Sequence, residues 1–214
     1  NAAVFGAFLY QGQICMSTER FVVDEAVADE FVSRFAKRVR SLETGVPSTT
    51  PSCVIGPMIG QGSVQRINHL LDDAIGKGAD IVAGGLAETA LMGPTLVDRV
   101  TREMAIYDEE TFGPVTTIVR VKGAEQALQV ANDTAYGLSS SIFSRDVTRA
   151  LELAGRLDAG CVHINGATVQ NEPQAPYGGM KKSGYGRFDG SAVIEEFTEV
   201  KWVTVEPSDQ PYPF

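Results

Sequence analysis

The sequence predicts an α/β domain in which a largely parallel sheet is flanked by helices. Short runs of β-branched and aliphatic residues alternate with longer segments whose apolar residues recur every three or four positions. Strand and helix in alternation is the pattern of a parallel sheet with helical crossovers. The 214 residues are enough for one large domain, and the 43% apolar and 21% charged content is ordinary for a globular protein.

Apolar periodicity predicts the first three helices. The first spans about 1–11 and should end at Gly12, since glycine commonly terminates a helix. Two longer helices follow over 25–42 and 61–77, and each is predicted to bury one face. The predicted buried residues are Val27, Phe31, Phe35, Val39 and Leu42 in the former, and Val64, Ile67, Leu70, Leu71 and Ile75 in the latter.

The remaining helices alternate with strands. We expect helices at about 123–133, 146–156 and 191–197, and strands at about 20–23, 80–83, 94–97, 115–119, 138–143, 161–165 and 199–205. The glycine-rich stretch 166–190 is predicted to be a long loop. Loops of that length in compact domains are usually functional or disordered.

Charge and hydropathy argue against nucleic acids and membranes as partners. The net charge of −9 and the pI of about 4.7 disfavour binding to the phosphate backbone of a nucleic acid. No apolar run approaches the ~20 residues that a membrane helix needs, so we expect no membrane association. The start at Asn1 shows neither a basic leader nor an initiator Met, so we expect a fragment of a longer protein.

The cysteines and histidines are few and irregularly spaced. Cys15, Cys53 and Cys161 are odd in number, which argues against a disulfide framework and favours a reducing cytoplasm. No C-x-x-C or H-E-x-x-H spacing occurs, so no metal site is expected.

Cys15 is the first candidate for chemistry. It lies between a predicted helix end and a predicted strand, where free backbone N–H groups can activate a thiol and stabilise an oxyanion. The alternative is that Cys15 is a small buried apolar residue, which is the commoner role of a single cysteine.

A second motif, Glu109-Glu110-Thr111-Phe112-Gly113-Pro114-Val115, precedes a predicted strand. A carboxylate can accept hydrogen bonds from both hydroxyls of a ribose, and an aromatic ring two residues later can pack against a flat heterocycle. Gly113-Pro114 then favours a turn into the strand. The alternative is a solvated acidic pair before a strand, which is common.

Together with Gly12-Gln13-Ile14-Cys15 and Arg20, this second motif resembles the catalytic half of the NAD(P)-dependent aldehyde dehydrogenases. The resemblance implies that Cys15 attacks a small-molecule aldehyde and that Glu110 and Phe112 hold the nicotinamide ribose and ring of NAD or NADP. It implies a catalytic domain over 1–197 without the cofactor domain, then an oligomerisation strand and tail over 198–214. The full-length protein is expected to be a homo-oligomer.

The loop Pro176–Arg187 extends the resemblance. Its sequence is similar to the family's P-F-G-G-x-K-x-S-G-x-G-R, with Tyr177 where the family usually has Phe. Tyr177, Ile14 and Met16 are the expected substrate pocket. Gly-Arg-Phe at 186–188 resembles the branch that oxidises aromatic aldehydes such as benzaldehyde, salicylaldehyde or vanillin.

Two alternatives stay open at this stage. The chain can be a non-enzymatic, truncated module that packs or oligomerises through its final strand. It can also derive from a family member that passes the acyl group to coenzyme A instead of water. The choice of aldehyde, of NAD or NADP, and of the upstream general base is not fixed by these residues.

Overall fold

The computed structural model describes residues 1–214 and confirms the α/β architecture. The helices are α1 (Ala2–Phe8), α2 (Glu25–Val39), α3 (Gln61–Gly76), α4 (Ala105–Asp108), α5 (Gly123–Asn132), α6 (Val147–Ala154) and α7 (Ala192–Phe197). The strands are β1 (Arg20–Asp24), β2 (Asp80–Ala83), β3 (Thr95–Asp98), β4 (Val115–Val121), β5 (Ser139–Ile142) and β6 (Cys161–Ile164). None of these helices combines the length and the apolarity needed to cross a membrane.

The strands form two sheets. The larger has the order β1-β4-β3-β2, in which β4 pairs in parallel with β1 and β3, and β2 is an antiparallel edge strand. β5 and β6 pair in parallel as a separate two-stranded sheet. Three of the four strand pairings are therefore parallel, as the alternation of strands and helices predicted.

Capping side chains fix where two helices begin. Asp24 ends β1 and caps α2, where its Oδ1 accepts a hydrogen bond from the N–H of Ala26 at 2.9 Å. Its other oxygen accepts from the N–H of Gly123 at 2.7 Å, which ties the start of α5 to the same point. Asp146 caps α6 in the same way.

Each face of the larger sheet carries its own core. Leu96 and Ile118 pack with residues of α1 and α2, whereas their neighbours Val97 and Val119 pack with residues of α3. This division follows from the period of two along a strand, which sends successive side chains to opposite faces. The sheet is thus buried between helices on both sides.

The structure corrects several details of the sequence interpretation. Val27 and Ile75 were expected in the core but are 55% and 44% exposed, since their helices turn them away from the sheet. The first helix ends at Phe8, and a short 3-10 turn over Leu9–Gly12 follows. Residues 199–205 form no strand, because no neighbouring strand pairs with them, and their side chains are exposed.

Helix α3 offers a matched test of this packing. Leu71→Ala should lower the free energy of unfolding by about 2–5 kcal/mol, because Leu71 is fully buried. Ile75→Ala, one turn away on the same helix, should cost less than about 1 kcal/mol. Urea denaturation followed by circular dichroism measures both. Equal losses would contradict the described packing of α3.

Candidate active site

The two sequence motifs meet through their glycines. Gly12 has a φ of +67°, and a Cβ atom on it would lie 2.0 Å from the carbonyl oxygen of Gly113. No side chain tolerates that approach, so only glycine fits at this position. Tyr10 and Gln11 are also left-handed, with φ of 55° and 57°. The chain therefore turns sharply just before Cys15 and lies against the second motif.

Cys15 sits on the outside of this turn with an exposed thiol. Its backbone N–H makes no hydrogen bond within the chain. Its Sγ lies 3.4 Å from the hydroxyl oxygen of Tyr177, which is 162 residues away in sequence. The structure thus brings Cys15 and Tyr177 together, and it leaves a backbone donor free beside the sulfur.

Ile14 and Met16, the other two residues of the expected substrate pocket, flank Cys15 and are half-buried. Ser17 holds this segment against α1, where its hydroxyl donates to the carbonyl oxygen of Ala7 at 3.1 Å. The nucleophile candidate therefore lies on a turn that is fixed to a helix, with apolar side chains on both sides.

Arg20 anchors the same segment to the sheet. Its guanidinium donates to the carbonyl oxygens of Val130, at 2.9 Å, and Asp133, at 3.0 Å, and also to that of Tyr107. It lies over the Tyr107 ring at 3.9 Å from the centroid. Burial lowers the pKa of Arg20 from its ordinary value. The contacts of Arg20 are structural, since they join β1 to the ends of α4 and α5.

Glu19 is a residue that sequence reasoning missed. Its Oε2 accepts hydrogen bonds from the N–H of Thr111, at 2.6 Å, and from the Thr111 hydroxyl, at 3.0 Å. Its Oε1 accepts from the N–H of Phe112 at 2.8 Å. Burial raises the pKa of the Glu19 carboxyl above its usual range, although the Thr111 and Phe112 donors act in the opposite direction.

Arg66 of α3, also missed, holds the opposite side of that loop. Its guanidinium donates to the carbonyl oxygens of Glu110, at 2.7 Å, and Thr111, at 2.5 Å. Glu19 therefore satisfies N–H groups of the loop, and Arg66 satisfies its C=O groups. The loop that bears Glu110 and Phe112 is fixed by two side chains rather than by a strand.

Glu110 and Phe112 line two clefts that adjoin at Arg66. One, of about 370 Å³, is lined by Phe112 and Arg66 with Gln13, Pro57, Ile59 and Ser63. The other, of about 740 Å³, contains Glu110 and Arg66 with Asp108, Glu109, Ala135, Tyr136 and Lys182. The Glu110 carboxylate is exposed and has no partner within the chain, and the Phe112 ring is 39% exposed.

The glycine-rich loop folds back on itself beside Cys15. Tyr177 and Phe188 exchange two backbone hydrogen bonds of 2.7 and 2.6 Å. The Arg187 guanidinium donates to the carbonyl oxygens of Gly179, at 3.1 Å, and Gly186, at 2.7 Å. Lys181 forms an ion pair with Asp158 at 3.2 Å. Arg187 and Lys181 therefore hold the loop in place beside Cys15 through contacts within the fold.

The other cysteines lie elsewhere in the fold. Cys53 lies in the loop between α2 and α3, and Cys161 begins β6, close enough to Tyr177 to contribute to that residue's raised pKa. No group of three or more His, Cys, Asp or Glu side chains has an arrangement that could hold a metal ion.

Comparison with known sequences matches this chain to the aldehyde dehydrogenase family over residues 1–203. It is 60% identical over 214 residues to a salicylaldehyde dehydrogenase from Pseudomonas sp. (strain C18), covering 100% of this chain and 44% of that enzyme. It is 50% identical over 213 residues to a vanillin dehydrogenase from Pseudomonas fluorescens, covering 100% of this chain and 44% of that enzyme. The chain thus spans less than half the length of these relatives.

Solved structures agree with the sequence comparison. The crystal structure of a salicylaldehyde dehydrogenase from Pseudomonas putida G7, complexed with salicylaldehyde, superposes with a TM-score of 0.96 at 60% identity, over 100% of this chain and 44% of that one. A glyceraldehyde-3-phosphate dehydrogenase from Methanocaldococcus jannaschii, complexed with NADP, gives 0.88 at 35% identity, over 94% of this chain and 43% of that one. The predicted resemblance, including its aromatic-aldehyde branch, is confirmed, and the chain belongs to the aldehyde dehydrogenase family.

Proposed function

We propose that this chain is the catalytic portion of an enzyme that uses NAD or NADP to oxidise an aromatic aldehyde to a carboxylic acid. The contact between Gly12 and Gly113 carries the proposal, because it joins the turn of the exposed Cys15 thiol to the segment of Glu110 and Phe112. The names of the salicylaldehyde and vanillin dehydrogenases support an aromatic substrate. Since the chain spans 44% of these relatives, the activity is proposed for the whole protein.

Cys15 takes the role of nucleophile. A lone pair of its thiolate forms a bond to the aldehyde carbon, and the carbonyl π electrons move to the oxygen. The free N–H of Cys15 is placed to donate to that oxygen as its negative charge develops. A bound nicotinamide cofactor supplies the acceptor for the hydride whose loss leaves a thioester on Cys15. Attack by water on the thioester carbon releases the acid and returns the thiol.

The residues that would hold the cofactor fit a nicotinamide nucleoside. Both oxygens of Glu110 are free to accept from the two ribose hydroxyls, and the exposed face of Phe112 is available to the ring. The solved relative from Methanocaldococcus jannaschii contains NADP. A betaine aldehyde dehydrogenase from Staphylococcus aureus contains NAD, and it superposes with a TM-score of 0.84 at 32% identity over 92% of this chain and 40% of that one. These structures support either cofactor.

Glu19 and Arg66 act as positioning residues in this proposal. Their hydrogen bonds fix the backbone from which Glu110 and Phe112 project. A cofactor that meets a fixed loop loses less binding energy to ordering it. Ile14, Met16 and Tyr177 complete the proposal as the apolar and aromatic walls that a flat aldehyde ring needs.

A second candidate function rests on the C-terminal residues. Val200, Trp202, Val203 and Val205 are between 71% and 100% exposed, and they follow α7 without packing on the domain. Exposed apolar clusters of this kind mark protein interaction sites. We therefore propose that the catalytic domain ends at residue 197 and that residues 198–214 form an oligomerisation segment. Such a segment would also allow a non-enzymatic module to assemble.

Thiol reactivity separates the enzymatic proposal from the non-enzymatic one. Iodoacetamide should alkylate Cys15 at least about tenfold faster than Cys53 at neutral pH, because a nucleophilic thiol is exposed and placed among polar donors. Peptide mass spectrometry gives the rate for each cysteine, and Cys15→Ser serves as the control. A Cys15 rate no greater than that of Cys53 would favour the inert module.

Dehydrogenase turnover gives a second test. The 214-residue chain alone should produce no measurable NADH from benzaldehyde, because the residues here hold only the nicotinamide end of the cofactor. Weak hydrolysis of p-nitrophenyl acetate, abolished by Cys15→Ser, is expected to remain. Robust NADH formation by the chain alone would contradict this expectation.

Glu19 predicts a specific pH dependence of stability. Its pKa is raised in the folded chain, so folding binds its proton more tightly and its contribution to stability is greatest at acidic pH. That contribution is lost as pH rises through the raised pKa. The unfolding free energy of the wild type relative to Glu19→Gln should therefore fall as the pH rises above about 4.5, the ordinary pKa of a glutamic acid.

Urea titrations at a series of pH values measure this difference. Glu206→Gln is the control, because the Glu206 side chain is exposed and forms no hydrogen bond or ion pair within the chain. A wild-type advantage that grows with rising pH would show that the donors of Thr111 and Phe112 outweigh burial.

A further inference from the structure

We propose that Tyr177 is a positioning residue that donates a hydrogen bond to the Cys15 thiolate and holds the sulfur in its attacking position. The inference rests on the proposed function, in which Cys15 is the nucleophile. It gives a role to the Tyr177 hydroxyl, which Tyr177 would not need if it served only as an aromatic wall of the substrate pocket.

The contact itself is the first argument. The Tyr177 hydroxyl oxygen lies 3.4 Å from the Cys15 Sγ, and this is the thiol's single side-chain hydrogen bond. Cys15 is otherwise exposed, on a turn formed by the left-handed residues Tyr10, Gln11 and Gly12. Without Tyr177, no side-chain hydrogen bond would restrain the rotation of the sulfur about the Cα–Cβ bond.

The direction of the hydrogen bond follows from the two groups. A thiolate has no proton and can only accept, whereas the phenol is both donor and acceptor. Burial and the neighbouring Cys15 raise the pKa of Tyr177, and Cys161 contributes in the same direction. Because its pKa is raised, Tyr177 keeps its proton, and it is the donor whenever Cys15 is a thiolate.

No charged side chain of this chain is bonded to the Cys15 thiol. Cys15 has no contact with a carboxylate, an ammonium or a guanidinium group among the hydrogen bonds and ion pairs of the chain. The titratable groups near the contact are Tyr177 itself and Cys161 of β6. Within this chain, the Tyr177 hydroxyl is therefore the side-chain group that meets the charge of the thiolate.

The backbone around Tyr177 is rigid enough to serve this purpose. Two hydrogen bonds pair it with Phe188, whose ring contacts that of Phe197 edge-on at 6.1 Å. On the other side, a Cβ atom on Gly160 would lie 1.7 Å from the carbonyl oxygen of Gly178, so the start of β6 presses directly on the loop. The position of the hydroxyl is thus set by the fold.

The hydrogen bond strengthens and weakens with the charge on sulfur. As the sulfur lone pair forms the bond to the aldehyde carbon, the negative charge moves to the carbonyl oxygen. The thioether-like sulfur is then a weak acceptor. The Tyr177 proton stays on Tyr177 throughout, so the residue steers the nucleophile without exchanging a proton with it.

The test is the pH–rate profile for alkylation of Cys15 by iodoacetamide in the wild-type chain and in Tyr177→Phe. Loss of a hydrogen bond to the charged thiolate should shift the profile of the variant to higher pH by about one unit. The thiolate without this hydrogen bond is also more nucleophilic, so its intrinsic rate constant should rise by about half a logarithmic unit, which is about threefold. The variant should therefore react about threefold more slowly at neutral pH and about threefold faster on the alkaline plateau.

Tyr185→Phe is the matched control, because Tyr185 lies in the same loop but is 98% exposed. Its profile should coincide with that of the wild type. Crossing of the Tyr177→Phe and wild-type profiles is a result that mere loosening of the loop would not give, since loosening changes the rates in one direction at every pH.

The outcomes separate this inference from the function on which it rests. If Cys15 reacts faster than Cys53 but Tyr177→Phe leaves its profile unchanged, the nucleophile stands and the positioning role is wrong. If Cys15 is no more reactive than Cys53, the proposed function fails first. Should Tyr177→Phe not fold, Cys15→Ala replaces it, and ultraviolet titration should then show one tyrosine ionising at lower pH than in the wild type. An unchanged titration would overturn the inference.

Discussion

The backbone of Gly12 rests against the carbonyl oxygen of Gly113 so closely that a Cβ atom would stand 2.0 Å from that oxygen. This contact fixes where the turn of Cys15 lies relative to the strand β4 that follows Gly113. Gly113 is confined in turn, since a Cβ atom on it would meet Ile67 of α3 at 2.5 Å. A glycine pair therefore links the first helix, the central strand and the helix on the far face of the sheet.

Two side chains turn that contact into an ordered site. Glu19 accepts from the N–H groups of Thr111 and Phe112, and Arg66 donates to the carbonyl oxygens of Glu110 and Thr111. Glu19 stands in sequence between Cys15 and the start of β1, so a shift of either motif would disturb the other. The contacts between the two motifs thus agree with the family to which the chain belongs.

Much of this arrangement could be predicted from the sequence. The α/β class, the parallel pairing and both motifs follow from local patterns, since periodicity reports which face of an element is buried. Val27 and Ile75 show the limit of that reasoning, because an apolar residue at the edge of a helical stripe can lie on either side of the boundary. Residues 199–205 form no strand in the single chain, because a strand needs a partner that the local sequence does not supply, and their role as an oligomerisation strand stays a prediction.

Glu19 and Arg66 were beyond reach for a different reason. Each looks like an ordinary charged residue in its own segment, and its role depends on a loop 92 residues away for Glu19 and 44 for Arg66. Nothing in a local pattern records such a partner. The left-handed Tyr10 and Gln11 were likewise read as helix, because neither residue type signals a positive φ.

Phe112 adopts a φ of +46°, a conformation that aromatic residues rarely accept and that costs on the order of 1–2 kcal/mol. The Glu19 carboxylate bonds to the N–H of this same residue and offsets that strain within the folded domain. The loop that carries Glu110 and Phe112 therefore loses its conformational entropy when the domain folds, and not when a ligand binds. If the hydrogen bond between Glu19 and the N–H of Phe112 were lost, the loop could still make the same contacts with a ligand. The ligand would then have to select one loop conformer from many.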